Sequence, residues 1–414
     1  MIDLGIDNIV FLGDSLTDNG NYYNLTKQAT GIGFPDQPFY AKGCFSNGSV
    51  WSDYVGTALG LNNIPFTNFA PFTDQIPQNN QAINFAIGGA TSGSKNLGFP
   101  PEYPAGLQQQ VDALTGLKQT QVFNPSDTLY SLWIGGNDYL SLNLSADNTK
   151  KDTKNFVQQT VGQTIGNIKT TLTTLVNQMD AEHIMVFNLP DLSQTPLGLS
   201  LKPDAAQTLK SLVTEHNKQL DKEIKSLSKT YTDVDFISID INALFKDITK
   251  KSNPFKFDNL TQAATNTNLY DPQFNPLTHK LTQSPNADNY LFWDSAHPTT
   301  KAHGLIADYV IKALESDKNL SKANKAVDLT AQSQIVPSNI SNIPAVATSN
   351  DSLSVVSNLV TSNPIVLNLN AAGQVQVSSS QQGQVNNKLL GQPVNDLFPT
   401  QLQIPIFQLN FANK

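Results

Sequence analysis

A serine, a histidine and an aspartate, placed at the two ends of the first three quarters of this chain, make up the set that nucleophilic chemistry at a carbonyl requires. Ser15 stands in Phe11-Leu-Gly-Asp-Ser-Leu-Thr-Asp-Asn-Gly20, directly after the apolar run Asn8-Ile-Val-Phe-Leu12. Such a run, broken by Gly-Asp-Ser, reads as a buried first strand ending in a tight turn. That places a small hydroxyl just past the carboxyl end of a strand, where open α/β sheets hold their ligands. Alone, a serine there is more often a turn former or a cap. Tyr290-Leu-Phe-Trp-Asp-Ser-Ala-His-Pro-Thr-Thr300 changes that weighting, because it brings a carboxylate and an imidazole together within one turn. A serine hydroxyl is a weak nucleophile at neutral pH and needs a base whose tautomer is fixed by a third group. His297 and Asp294 meet that need.

Between these ends lie two glycine-rich breaks after apolar runs, Ile83-Asn-Phe-Ala-Ile-Gly-Gly-Ala-Thr-Ser-Gly93 and Leu132-Trp-Ile-Gly-Gly-Asn-Asp-Tyr139. Each offers a donor for an oxyanion: a backbone amide at the first, since glycine lets the chain approach a reacting group closely, and the Asn137 side chain at the second. Asparagine after glycines is also an ordinary turn residue.

In this order, Gly-Asp-Ser15-Leu, Gly-Gly89-Ala-Thr, Gly-Gly-Asn137-Asp and Asp294-Ser-Ala-His297 resemble the four catalytic blocks of the GDSL lipases and esterases, the SGNH hydrolases. Gly48 in Phe45-Ser-Asn-Gly-Ser-Val-Trp51 and Leu189-Pro-Asp-Leu-Ser-Gln-Thr-Pro196 resemble non-catalytic segments of that family, and the likeness spans about residues 8 to 315. Asp18 to Tyr23 and Phe45 to Trp51 look most like its bacterial phospholipase, lysophospholipase and acyltransferase branch. The resemblance implies a flavodoxin-like three-layer α/β sandwich with a five-stranded parallel sheet. It implies Ser15 as nucleophile, His297 as general base, Asp294 as its orienting partner, and an oxyanion hole from the amides of Ser15 and Gly89 and the Asn137 side chain. Register with the family block selects Gly89 over Gly88. Asp14 reads as a structural hydrogen-bond partner rather than a second base, and neither metal nor other cofactor is implied.

The substrate implied is an acyl ester of phospholipid or lysophospholipid, met with or without peripheral contact to a membrane. Acyl transfer to an alcohol is a second outcome of the same acyl-enzyme. A carbohydrate or short-chain acetyl esterase is the alternative within the enzymes; a binding or adhesion protein carrying a relic hydrolase is the alternative outside them. Since the base must be neutral, activity is expected to fall as the histidine is protonated in acid.

The elements that must hold these residues are legible as strands alternating with helices, which argues for a parallel sheet covered on both faces. Strands are expected at 82–87, 128–134, 184–189 and 235–240, and helices at 50–61, 106–117, 154–179, 204–227, 241–249 and 299–314. Residues 20–50 read as a loop, forming either one wall of an acyl pocket or an Ω-type loop packed by its own aromatics. Residues 250–289 read as a mobile lid that no covalent link holds. His216, on an apolar helical stripe, reads as a core residue; His279 reads as a surface residue and His303 as a support at most.

The net charge of −8 argues against a phosphate-backbone partner, so no nucleic acid is expected. All 26 basic residues are lysine. Arginine is the preferred fork for anions, and its absence would fit a substrate not gripped by a tight anionic clamp, though biased codon usage is the better explanation of it. The one cysteine, Cys44, excludes an intramolecular disulfide and reads as a free thiol. No apolar stretch is long enough to span a bilayer, and no secretory signal precedes the first strand. Export from a bacterium is expected on the resemblance, with cytoplasmic residence or another export route left open.

A domain boundary is expected at 324/325. Residues 325–414 are poor in charge, and 363–370, 374–377 and 401–411 alternate apolar with polar side chains as half-buried strands do. A β-rich appendage and an unstructured tail are both compatible with that pattern.

Overall fold

The computed structural model describes residues 4–68, 81–117, 124, 127–142, 144, 150–275, 278–317 and 320, and further on 355–356, 366–369 and 375–377. The first strand, β1 (Asn8–Gly13), is buried at every residue. After it come α1 (Asn21–Thr30), α2 (Trp51–Ala58), β2 (Asn62–Pro65), β3 (Gln81–Asn84) and α3 (Leu107–Gly116). The second half of the sheet is β4 (Thr128–Trp133), β5 (His183–Phe187) and β6 (Asp235–Ile239). Between these strands run α4 (Gly136–Leu140), the long α5 (Lys150–Met179), the short α6 (Pro196–Ser200) and α7 (Pro203–Thr230). The remaining elements of this part are α8 (Ile241–Ile248), β7 (Asn259–Ala263), β8 (Tyr290–Phe292) and α9 (Thr300–Ser316).

Six strands, not five, form the main sheet, all parallel, in the order β2-β3-β1-β4-β5-β6. The extra strand is β2, whose sequence Asn-Asn-Ile-Pro has little apolar signal and ends in a proline. Such a strand belongs at an edge, where a missing N–H breaks no ladder. The 20–50 region likewise contains a helix where a loop is expected. The residues α1 buries include Asn21 and Thr26 beside Tyr22 and Tyr23, so its inner face carries no apolar periodicity. It begins after Gly20 and ends at Gly31, which takes a left-handed conformation (φ 79°).

Chain connections leave β1 toward one edge of the sheet and β4 toward the other. Right-handed crossovers then put the helices on opposite faces: α2 packs with α9 on one side, and α3, α5 and α7 pack in sequence on the other. The crevice where the two directions part lies beyond the carboxyl ends of β1 and β4, the usual ligand position in such sheets. The core follows the helical stripes: Val161, Ile165, Ile168 and Leu172 of α5 and Leu209, Leu212, Leu220 and Ile224 of α7 are buried together. Among the described residues no helix is long and apolar enough to cross a membrane.

A second, smaller core gathers Phe39, Tyr40, Ala264, Phe274, Ala287 and Trp293. It joins the 34–48 loop to the segment before the Asp294-His297 block. That segment is built around the parallel pair of β7 and β8. The far C-terminal part contains an antiparallel sheet of three short strands, Val355–Val356, Val366–Leu369 and Val375–Val377, with the middle one central. The last two fall within the alternating stretches read from the sequence; the 401–411 stretch lies outside the described residues.

Candidate active site

Ser15 sits two residues beyond β1 in a turn closed by the Asp14 carbonyl, which accepts from the amides of Thr17 and Asp18 at 3.0 and 2.9 Å. The strand end behind it is braced by Gln110 of α3, whose side-chain amide accepts from Gly13 N at 2.9 Å and donates to Gly13 O at 2.7 Å. Gly13 has no room for a side chain, since a Cβ would stand 2.6 Å from the Trp133 carbonyl oxygen. Asp18 then ties the turn to the next block: its carboxyl accepts from the amides of Gly20, Asn21, Tyr22 and Gly88 at 2.7 to 3.0 Å. Burial raises this carboxyl to about 6 against the pull of those four donors.

His297 and Asp294 reach Ser15 from a loop between β8 and α9. That loop is closed by Trp293 N donating to His297 O at 2.8 Å and Thr299 N donating to Leu291 O at 3.0 Å. The Asp294 Oδ1 atom accepts from the amides of Ala296 and His297 at 2.8 and 2.7 Å. Its Oδ2 atom lies 2.7 Å from His297 Nδ1. Burial pushes the Asp294 carboxyl up, but the His297 charge and the hydrogen bonds from His297 and Tyr40 outweigh it and hold the carboxyl below its ordinary value. An ionised carboxylate only accepts, so Nδ1 carries the proton and Nε2 is left as an acceptor. Ser15 Oγ lies 2.8 Å from that Nε2. All three side chains are buried.

Gly89 takes a left-handed backbone conformation, φ 76°. The Gly88 amide is taken by Asp18 and the Ala90 amide by Ile87 O. The amides of Ser15 and Gly89 have no acceptor among the described residues. Both residues line a cavity of about 80 Å³, together with Asn137, His297 and the rings of Tyr22, Phe34 and Phe45. The 20–50 region thus faces the cavity with aromatics that also pack on one another, Tyr22 against Phe45 at 5.5 Å and Phe34 against Phe45 at 6.0 Å between centroids. Phe45 is stacked on the His297 ring at 5.3 Å and 29°. Its ring lies where a side chain of Gly88 would go.

Two tyrosines carry contacts that no sequence block points to. Tyr40 donates its hydroxyl to Asp294 Oδ2 at 2.5 Å, and Tyr270 donates to Asn137 Oδ1 at 2.9 Å. Both lie in irregular segments with no periodicity around them; a tyrosine among prolines and asparagines gives no sign of its partner. Asp14, beside the nucleophile candidate, accepts from Leu16 N at 3.1 Å, and burial raises its carboxyl to about 7. His216 is a buried core residue at 2.8 Å from the Tyr139 hydroxyl. The Nδ1 of His303 accepts from Trp51 N at 3.3 Å. Burial holds both of these imidazoles at about 3, hence neutral. His279 is exposed, and Cys44 is a free, buried thiol.

A parallel α/β sheet that presents a hydroxyl, an imidazole and a carboxylate in one hydrogen-bonded line at its switch point has the arrangement of the serine hydrolases. The chain is a member of the GDSL-like lipase/acylhydrolase family, whose model matches residues 9–310. It is similar to a thermolabile hemolysin of Vibrio parahaemolyticus, 26% identical over 323 residues, a match that covers 77% of this chain and 65% of that protein. A phosphatidylcholine-sterol acyltransferase of Aeromonas hydrophila is 26% identical over 343 residues, covering 74% of this chain and 90% of that one. Among solved structures, a phospholipase A1 of Streptomyces albidoflavus matches with 13% identity and a TM-score of 0.38, covering 74% of this chain and 99% of that one.

Proposed function

We propose that this enzyme cleaves the acyl esters of phospholipids or lysophospholipids through an acyl-enzyme on Ser15, and that an alcohol can replace water as the acceptor. His297 Nε2 takes the Ser15 proton as Oγ attacks the ester carbonyl. The carbonyl π pair moves onto oxygen, which is met by the amides of Ser15 and Gly89 and by Asn137 Nδ2. Collapse expels the leaving alcohol, which receives the proton from His297. Water or a second alcohol, deprotonated by the same nitrogen, then attacks the acyl-enzyme; the acyl–Oγ bond breaks, Ser15 takes the proton back from His297, and acid or new ester is released. Asp294 holds the imidazole in the required tautomer and balances its charge.

The observation that carries this reading is the line from Asp294 through His297 to Ser15, ending at a cavity lined by Ser15 and Gly89, whose amides have no acceptor among the described residues. The lipid substrate is supported by the aromatic lining of that cavity and by the acyltransferase and hemolysin relatives. The hemolysin likeness also favours a bacterial enzyme acting outside its cell. In the same proposal residues 1–324 form the hydrolase domain, 250–289 its lid and 325–414 an appendage. The size of the cavity favours a second reading, a short-chain acetyl esterase: about 80 Å³ is roughly half the ~150 Å³ of an apolar cavity that takes up benzene.

A fluorophosphonate probe should label the protein and fail to label Ser15→Ala. A panel of acyl esters of increasing chain length, with and without a lysophospholipid headgroup, then separates the two substrates. Preference for acetyl esters and indifference to the headgroup would refute the lipid reading.

A further inference from the structure

Asn137 can occupy only one of its two amide orientations. The Ala90 carbonyl, which can only accept, lies 2.9 Å from Nδ2, so the nitrogen must face it. Oδ1 then faces the Tyr270 hydroxyl, which must donate. This is the one hydrogen bond to Oδ1 among the described residues. It leaves the second N–H of Nδ2 for the cavity that Asn137 lines with Ser15 and Gly89. Burial and the nearby Asp14 and Asp294 carboxyls hold the phenol far above its ordinary range, so it remains a donor. Without that donor the Ala90 carbonyl is left as the one partner holding the amide, and an Asn137 less firmly held presents its remaining N–H less constantly to a developing negative charge.

The Tyr270 ring has a second position of consequence. With Leu97 and Leu269 it lines both the 80 Å³ cavity and a separate groove of about 930 Å³ that continues along Phe99, Pro104 and Leu142. Tyr270 is anchored to the histidine loop through its own segment: Ser295 Oγ donates to Asn268 Oδ1 at 2.8 Å and Thr265 Oγ1 donates to Trp293 O at 3.0 Å.

We propose that Tyr270 is a positioning residue for acyl transfer: its hydroxyl sets the Asn137 amide for the oxyanion, while its ring separates the nucleophile's cavity from the groove. Acyl-chain length is thereby read by the same residue that completes the oxyanion site. The proposal rests on the reading of Ser15 as nucleophile.

The test uses the full chain with Tyr270→Phe, Tyr270→Ala, Asn137→Ala and the double variant N137A/Y270F, assayed on nitrophenyl acetate and nitrophenyl dodecanoate. Thermal unfolding serves as the control for folding. Tyr270→Phe is expected to lower kcat about tenfold on both esters with KM changed less than about twofold, a fraction of what loss of an oxyanion donor costs. On the Asn137→Ala background the same substitution should cost nothing further, since its effect passes through that amide. Tyr270→Ala should raise the ratio of dodecanoate to acetate kcat/KM by about tenfold or more, the scale on which an apolar pocket discriminates by a methylene. A folded Tyr270→Phe enzyme with unchanged kcat, or an equal loss on both backgrounds, overturns the positioning role. An unchanged chain-length ratio in Tyr270→Ala overturns the dividing wall. Failure of the unmodified enzyme to hydrolyse either ester or to take a fluorophosphonate label overturns the hydrolase reading itself, and is recognised before any variant is compared.

Discussion

Ser15, Gly89 and Asn137 stand in the turns just beyond β1, β3 and β4, strands that their neighbours hold in register. Asp294, His297 and Tyr270 stand instead on residues 259–299, where one short strand pair is supplemented by side chains. Trp293 Nε1 donates to Phe39 O at 2.7 Å, and Ser46 Oγ donates to Pro298 O at 2.9 Å. Asn47 Oδ1 accepts from Thr300 N at 2.8 Å. The sheet half is therefore fixed by the fold, whereas the histidine half depends on a handful of contacts between segments some 250 residues apart in sequence. Substitutions in the 34–48 loop should alter activity while leaving the main sheet intact.

The comparison breaks most visibly in the sheet half. Ser15→Ala should remove ester hydrolysis by a factor on the order of 10⁶, the scale seen when a serine nucleophile is deleted, with an unchanged circular dichroism spectrum. Asn137→Ala should lower kcat by about 10² to 10³ and leave the protein folded; a loss under about fivefold in single-turnover kinetics would remove Asn137 from the oxyanion site. In the histidine half, Tyr40→Phe deletes one of four hydrogen bonds to Asp294 and keeps the ring in its small core. A drop of about threefold to tenfold in kcat/KM is expected, the worth of an ordinary intramolecular hydrogen bond, with little change in melting temperature.

The sheet half was also the half that the sequence disclosed. An apolar run that stops at Gly-Asp-Ser, and two that stop at paired glycines, announce strand ends directly, because a buried parallel strand must be apolar and a sharp turn needs glycine. The helical stripes of α5 and α7 were legible for the same reason. Strand β2 was not, since an edge strand of Asn-Asn-Ile-Pro has no apolar run, nor was α1, which buries amides and hydroxyls on its inner face. The Asp294-Ser-Ala-His297 spacing disclosed its own pair but not its support. Tyr40 and Tyr270 act through contacts set by tertiary structure alone, which leave no periodic trace.

The smallest expected effect contrasts two buried carboxyls, one in each half. Asp14 is raised to about 7 by burial, so the folded state holds a proton that the unfolded chain releases near the ordinary value of 3.8. Its contribution to stability is fully present below the unfolded value and is lost as pH rises toward 7. Asp294 is lowered, so its contribution is present above the unfolded value and is lost as pH falls through the folded one. Asp14→Asn, which keeps an acceptor for Leu16 N, should therefore flatten the decline of stability between pH 4 and 7 by at most about 1.4 kcal/mol per pH unit. Urea midpoints at two pH values measure it; a slope unchanged by the substitution would place the proton elsewhere.

Gly88 owes its identity to a ring rather than to a turn: a Cβ there would stand 2.2 Å from the nearest carbon of Phe45. That phenyl ring in turn lies flat against the His297 imidazole. The three are packed in series, so a methyl group on residue 88 would have to displace the ring that stacks on the imidazole. Bare backbone at residue 88, inside the cavity that Ser15 and His297 also line, is thus what gives the ring behind the imidazole its room.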